Sequence, residues 1–140
     1  GSQIYTKTQP LVRRAGARVT LVVWDISGQP AFTKIRGEYY KGAAAILLVF
    51  DLTRSETFQH LGGWLNETRR YSPSPEIVLI GNKSDLETKR RVSSKSGEEY
   101  ASKINAPYLE TSAKYGSNVE EAFTALAERL AMKAAGFQRK

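Results

Sequence analysis

Leu21-Val22-Val23-Trp24-Asp25-Ile26-Ser27-Gly28-Gln29-Pro30-Ala31-Phe32 decides how the rest of the chain is read. An apolar run ends in an acid, and a serine, a glycine, a glutamine and a proline follow. The run has the character of a buried strand, which delivers Asp25 to its C-terminal end. There the chain must turn, and Gly28 lets backbone approach another group closely. In an open α/β sheet, ligands bind outside the carboxyl ends of the strands. Taken alone, the stretch reads equally as a plain strand-to-loop turn.

Two further stretches change that balance. Gly81-Asn82-Lys83-Ser84-Asp85 follows the apolar run Ile77–Ile80, and Leu109-Glu110-Thr111-Ser112-Ala113-Lys114 follows a third strand-like stretch. By itself Asn82–Asp85 reads as a polar turn after a strand. The three motifs in this order and at these separations resemble the guanine-nucleotide-binding domain of the Ras superfamily of small GTPases. Trp24–Gln29, Tyr39-Tyr40-Lys41-Gly42-Ala43 and Leu48-Val49-Phe50-Asp51-Leu52-Thr53 look most like the Rab branch. The resemblance covers essentially the whole chain: residues 1–133 as the G-domain from about its second strand onward, and 134–140 as a C-terminal tail.

The resemblance implies a chemistry for each position. Guanine carries an exocyclic amine and a ring N–H on one edge, and Asp85 would accept both. Adenine lacks that donor pair, and a site built around hydrogen bonds rejects the wrong ligand strongly. Asn82 would bond the purine's other polar edge, and the stem of Lys83 would cover the base face. Beside Ser112, the Ala113 backbone N–H would meet the guanine oxygen, with Lys114 over ring and sugar. Asp25 would hold Mg2+ through a water, as hard cations prefer oxygen ligands. The Gly28 N–H would meet the γ-phosphate of GTP, and Gln29 would orient the attacking water. Trp24, Phe32, Tyr39 and Tyr40 resemble residues that Rab-type proteins show to effectors and exchange factors. They read equally as ordinary core aromatics. Two positions depart from the pattern: Pro30 stands where glutamate is usual, and Ala31 where arginine is common. Proline removes an N–H and fixes φ, so this switch would start stiffer or follow another path.

Composition sets outer bounds. The 140 residues suit one domain with a sizeable core, and the 41% hydrophobic and 25% charged shares are ordinary globular values. No cysteine is present, which excludes disulfides, cysteine-ligated metals and a prenylated tail within these residues. No apolar run approaches the roughly 20 residues needed to cross a bilayer, and no signal-peptide pattern opens the chain. A cytoplasmic protein is the expectation, with the cytosolic face of a membrane left open. The net charge of +7 is spread over Arg13-Arg14, Arg69-Arg70, Lys89-Arg90-Arg91 and Arg139-Lys140. Bases do not alternate with aromatics as in single-strand binders, so the surplus reads as a solvated surface and not as a nucleic-acid site. The expected partners are guanine nucleotide and effector, exchange-factor and GTPase-activating proteins.

In chain order, Ile4–Gln9 and Val19–Trp24 read as a hairpin around a turn at Arg13–Arg18. Asp25–Gly37 reads as loop with a helical piece, the second switch of small GTPases. Ala43–Phe50 reads as a strand buried on both faces. Ser55 is placed to cap a helix running to about Tyr71, with Phe58, Leu61 and Leu65 on one face. Gly62-Gly63 costs that helix about 1 kcal/mol per glycine relative to alanine, which implies local weakness or tight packing. Ser72-Pro73-Ser74-Pro75 is a stiff connector. Glu76–Gly81 reads as a strand, Lys95–Ile104 as a helix and Pro107–Glu110 as a strand. Asn118 is placed to cap the last helix, Val119–Lys133. His60, the single histidine, reads as a surface residue. The fold class is therefore α/β: a doubly wound, mostly parallel sheet with helices on both faces.

No Gly-x-x-x-x-Gly-Lys-Ser/Thr phosphate loop occurs in the 140 residues, and the switch-one threonine of the family has no counterpart. Relative to the family the first strand, phosphate loop, first helix and switch one are missing, which leaves Val19–Trp24 and Ala43–Phe50 expected to lack a shared neighbour. Two functions follow. One is a Rab-like GTP/GDP switch with slow hydrolysis, its missing segment lying upstream or supplied by another chain. The other is a non-catalytic pseudo-GTPase or scaffold that binds partners without turning over nucleotide.

Overall fold

The computed structural model describes residues 3–10, 18–25, 44–112 and 118–134, the first two stretches through their backbone. β1 (Gln3–Pro10) and β2 (Arg18–Asp25) form an antiparallel pair running from Gln3 opposite Asp25 to Pro10 opposite Arg18. The expected hairpin is present, and its turn lies outside the described residues. β3 (Ala45–Asp51), β4 (Glu76–Asn82) and β5 (Tyr108–Thr111) form a separate parallel sheet in that order.

Helices supply the crossovers that parallel strands require. α1 (Ser55–Gln59) and α2 (Leu61–Tyr71) join β3 to β4. A 3-10 turn (Glu87–Lys89) and α3 (Ser94–Lys103) join β4 to β5. α4 (Val119–Ala134) follows β5. Among the described residues no helix is long and apolar enough to cross a membrane.

Alternation along the strands divides the core in two, because successive side chains point to opposite faces. Leu48 and Phe50 of β3 and Ile77 and Leu79 of β4 pack with Leu61 and Leu65 of α2 and Ala101 of α3. Val78 and Ile80 of β4 point the other way, onto Ala122 and Leu126 of α4. The helices thus cover both faces, as a doubly wound α/β fold requires. α4 also runs beside β1 and β2, so the hairpin and the parallel sheet share one helix without sharing a ladder.

Four local expectations need correction. β3 is not buried on both faces: Val49 is 51% exposed. The strand buried along nearly its whole length is β4, from Glu76 to Gly81, with Ile77–Ile80 as its apolar run. β4 has a strand on each side, whereas β3 pairs with β4 alone and β2 with β1 alone among the described residues. The helix predicted over Ser55–Tyr71 breaks at His60, although the His60 and Trp64 N–H groups still donate to Glu56 and His60 carbonyls at 3.1 and 3.2 Å. Its N-cap is Arg54, without a side-chain cap, and Ser55 is the first helical residue. Nothing lies within 4 Å of a Cβ built at Gly62 or Gly63, so tight packing does not explain those glycines. Asn118 does stand at the start of α4, where its backbone oxygen accepts the Ala122 N–H at 3.0 Å. Its side chain, however, is turned back to β5.

Candidate functional site

Strand register brings the site together. Asp51, Asn82 and Thr111 lie opposite one another at the carboxyl ends of β3, β4 and β5. Directly behind them stand Phe50, Gly81 and Glu110, and behind those the rows are apolar, with Val49, Ile80 and Leu109 in register and then Leu48, Leu79 and Tyr108. The strands thus turn from apolar to polar over their last two levels, at the sheet edge where open α/β folds bind ligands.

Side chains brace that row. Thr111 Oγ1 donates to Asn82 Oδ1 at 3.2 Å, leaving the Asn82 amide N–H groups to donate elsewhere. Ser112 Oγ donates to Asp85 Oδ1 at 2.9 Å, which holds the carboxylate of the turn after β4 against the end of β5. An ionised carboxylate offers about four acceptor sites. This one hydrogen bond, the only one Asp85 makes among the described residues, leaves it able to accept a pair of donors. The Ser84 N–H donates to the Thr111 carbonyl at 3.1 Å and ties the two segments along their backbones. A neutral amide and a free-edged carboxylate, held rigidly and half-buried, suit a planar ring with donors and acceptors on its rim.

Lys83 sits between them with φ of 69°, the left-handed region that costs a non-glycine residue about 1 kcal/mol or more. Its ammonium reaches back to Asp51 Oδ2 at 2.7 Å. Asp51 Oδ1 also accepts from the Thr53 N–H at 2.8 Å and the Thr53 hydroxyl at 2.6 Å. Burial pushes the Asp51 carboxyl up, but the hydrogen bonds from Lys83 and Thr53 outweigh it and hold the group below its ordinary range. The Asp51 N–H donates to Thr57 Oγ1 at 2.8 Å, which fastens the first turn of α1 to the end of β3.

A second network stands behind Thr111. Arg90 grips Glu110 with two parallel bonds, at 3.0 and 2.7 Å, and turns its Nε to Glu87 at 2.9 Å. Ser94 Oγ and Tyr108 Oη donate to Glu110 Oε2 at 2.8 and 2.7 Å. Both ions of the pair are largely buried, at 17% and 20% side-chain exposure. The Arg90 hydrogen bonds, with those of Tyr108 and Ser94, overcome burial and hold the Glu110 carboxyl down at about 2. Burial and the same carboxylate push the Tyr108 phenol up. Bidentate Arg–carboxylate pairing fixes orientation as well as distance, so this network locks the end of β5 against the segment leading into α3.

Of the residues expected from the sequence, Asn82, Lys83, Asp85 and Ser112 are brought together here. Asp25 ends β2, opposite Gln3, and Trp24 lies opposite Ile4 in the same pair. Gly28, Gln29, Phe32, Tyr39, Tyr40, Ala113 and Lys114 lie outside the described residues, as do Pro30 and Ala31. Sequence reasoning passed over Asp51, Thr53, Thr57, Arg90, Tyr108 and Thr111. Asp51 and Thr53 were in plain view in Leu48–Thr53, and Thr111 in Leu109–Lys114. Arg90 looked like one base in a solvated run. Nothing in spacing alone pairs it with a glutamate 20 positions later.

A sequence model of the Ras family matches residues 2–132. The α/β fold, the polar row at the strand ends and a match over nearly the whole length agree: the chain belongs to the Ras family, the small GTPases that bind guanine nucleotides and switch between GTP and GDP forms.

Proposed function

We propose that this chain is a Rab-like small GTPase, a GTP/GDP switch with slow hydrolysis that acts in intracellular signalling or membrane trafficking. The observation that supports the reading is the Ser112–Asp85 hydrogen bond, which presents the carboxylate at the strand ends beside Asn82. Asp85 accepts the guanine amine and ring N–H. Asn82 donates to the opposite polar edge, and the Lys83 stem, steered by Asp51, covers the ring. Ala113 and Lys114 follow Ser112 in sequence and complete the base contacts. Gly28 meets the γ-phosphate and Gln29 orients the hydrolytic water. Asp25 holds the Mg2+ that screens phosphate charge. Trp24, Phe32, Tyr39 and Tyr40 form the surface that exchange factors, activating proteins and effectors recognise. The protein works in the cytoplasm or at the cytosolic face of a membrane.

Denaturing the purified protein and separating the released nucleotide by ion exchange tests the reading. Near-stoichiometric GDP or GTP is the expected result. A folded protein that carries none favours the non-catalytic module, with the Trp24–Tyr40 region as its working part. In a nucleotide-bearing protein, Asp85→Asn weakens GDP and shifts preference toward xanthine nucleotides on the order of a hundredfold or more. Unchanged base selectivity removes Asp85 from the site.

A further inference from the structure

The segment that follows β4 is stiffened by its own turns. The Leu86 N–H donates to the Lys83 carbonyl at 3.0 Å, the Lys89 N–H to the Leu86 carbonyl at 3.0 Å and the Arg90 N–H to the Glu87 carbonyl at 3.2 Å. Residues 83–90 thus form one unit, with Asp85 near its start and Arg90 at its end. Both ends rest on the same short piece of chain. At the start, the Ser84 N–H donates to the Thr111 carbonyl, and Ser112 Oγ donates to Asp85. At the end, Arg90 holds Glu110 with two parallel bonds. These contacts fall on three consecutive residues, Glu110, Thr111 and Ser112. A displacement at Glu110 is therefore passed along the backbone to the hydroxyl that orients Asp85.

Both members of the ion pair are committed to this place. Ser94 and Tyr108 donate to the Glu110 carboxylate, and the Glu110 backbone carbonyl accepts Asn118 Nδ2 at 2.8 Å. Arg90 donates to Glu87 Oε1 at 2.9 Å and Oε2 at 3.2 Å, and to the Val92 carbonyl at 3.2 Å. One guanidinium thus gathers the turn before it, the chain after it and the end of β5. A planar fork of donors does this, and the point charge of a lysine ammonium does not.

We propose that Arg90 and Glu110 are positioning residues for guanine selectivity: their ion pair clamps the far end of the 83–90 unit to β5 and so keeps Asp85 seated on Ser112. The inference rests on the guanine-nucleotide reading above. Neither residue touches the ligand. A carboxylate that accepts two donors at once must keep its plane in line with the base, and one that accepts a single donor tolerates tilt. Hypoxanthine keeps the ring N–H of guanine and lacks the exocyclic amine. Loosening the clamp therefore costs guanine more than hypoxanthine. The edge read by Asn82 is common to both bases, so it leaves the ratio of their affinities unchanged.

Arg90→Gln and Glu110→Gln each break the ion pair, and the double variant removes both charges. Arg90→Lys keeps the charge and gives up the fork. GDP and IDP are compared by competition on the whole protein as purified. The preference for GDP over IDP falls about tenfold in each glutamine variant, and no further in the double, because the two residues act as a pair. In Arg90→Lys, the mildest change and the one that carries the test where a glutamine variant does not fold, it falls about threefold. Leu126→Ala destabilises the opposite face of the sheet and keeps the wild-type ratio, so lost stability alone does not move it. Wild-type ratios in every folded Arg90 and Glu110 variant overturn the positioning role and leave the guanine reading standing. So do losses that add in full in the double variant, and so does an equal fall in Leu126→Ala. A wild-type protein that binds GDP and IDP equally overturns the placing of Asp85 on the guanine amine, and the positioning role with it.

Discussion

The two faces of the parallel sheet are packed from different materials. On the face covered by α1, α2 and α3, Phe50 meets the edge of Phe58 at 4.9 Å and lies nearly parallel to Tyr108 at 6.2 Å. Phe58 in turn meets Tyr100 at 5.8 Å. On the face covered by α4, the buried residues are aliphatic: Val78, Ile80, Ala122 and Leu126. The aromatic face runs into the functional end of the sheet, because the Tyr108 hydroxyl ends on Glu110. Tyr108 gets there by passing close over the backbone of Gly81 and Gly97. A Cβ built on Gly81 lies 2.6 Å from its hydroxyl, and one on Gly97 is as close. Tyrosine buries a large apolar body and carries a polar tip, so packing on this face is coupled to the charge network that anchors β5. The α4 face is built mainly of aliphatic side chains, with Phe123 packed against them.

Paired substitutions test whether the faces differ in this way. Leu126→Ala removes buried methyl groups from the aliphatic face and costs about 3 kcal/mol. Gly97→Ala improves helix propensity by up to about 1 kcal/mol, but it drives a Cβ into the Tyr108 ring, for a net loss of about 2 kcal/mol. Denaturant unfolding reads both losses. Nucleotide competition separates them: folded Leu126→Ala keeps wild-type guanine affinity, and Gly97→Ala binds more weakly. Equal affinities in the two variants would collapse the distinction between the faces.

Acid titration sharpens the comparison at a smaller scale. The folded Glu110 carboxyl, held at about 2, lies below its ordinary value of 4.5. A depressed carboxyl contributes stability that is fully present above its unfolded pKa and is lost as pH falls through the folded one. Glu110→Gln gives up the charged bonds to Arg90 and lowers stability at pH 7 by about 2 kcal/mol. That deficit shrinks as pH falls from about 4.5 toward 2. Denaturation midpoints of both proteins across this range decide the matter, and a deficit independent of pH removes the ion pair as its source. The smallest effect belongs to the exposed start of α2. Gly63→Ala meets open space and stabilises the protein by about 0.5 kcal/mol, without changing nucleotide affinity. A measured loss would place an unseen partner over that turn.

The site divides by what a linear pattern can carry. Asn82, Asp85 and Ser112 were singled out because their motifs, each after a strand-like run, resemble those of small GTPases. Their mutual geometry was not legible: Ser112 reaches Asp85 across 27 positions, and only the parallel register of β4 with β5 makes them neighbours. Arg90 and Asn118 were misjudged for a related reason. A base in a charge run and an asparagine before a helix each have a common local explanation. The Glu110 side chain and carbonyl override both.

Periodicity and punctuation in the sequence determined the elements and their class, from the β1–β2 hairpin through the alternation of strands and helices. Those signals come from which residues suit a pleated or a helical backbone, and they act within a few positions. Tertiary structure alone decided which apolar strand became central. Ala43–Phe50 reads as a strand buried on both faces and Glu76–Gly81 simply as a strand, yet β4 has a strand on either side while Val49 of β3 stands half in solvent. It likewise decided that the carboxylate of Glu110 faces a guanidinium and not water. Burial and pairing belong to neighbours brought together across long separations, and no local pattern records who those neighbours are.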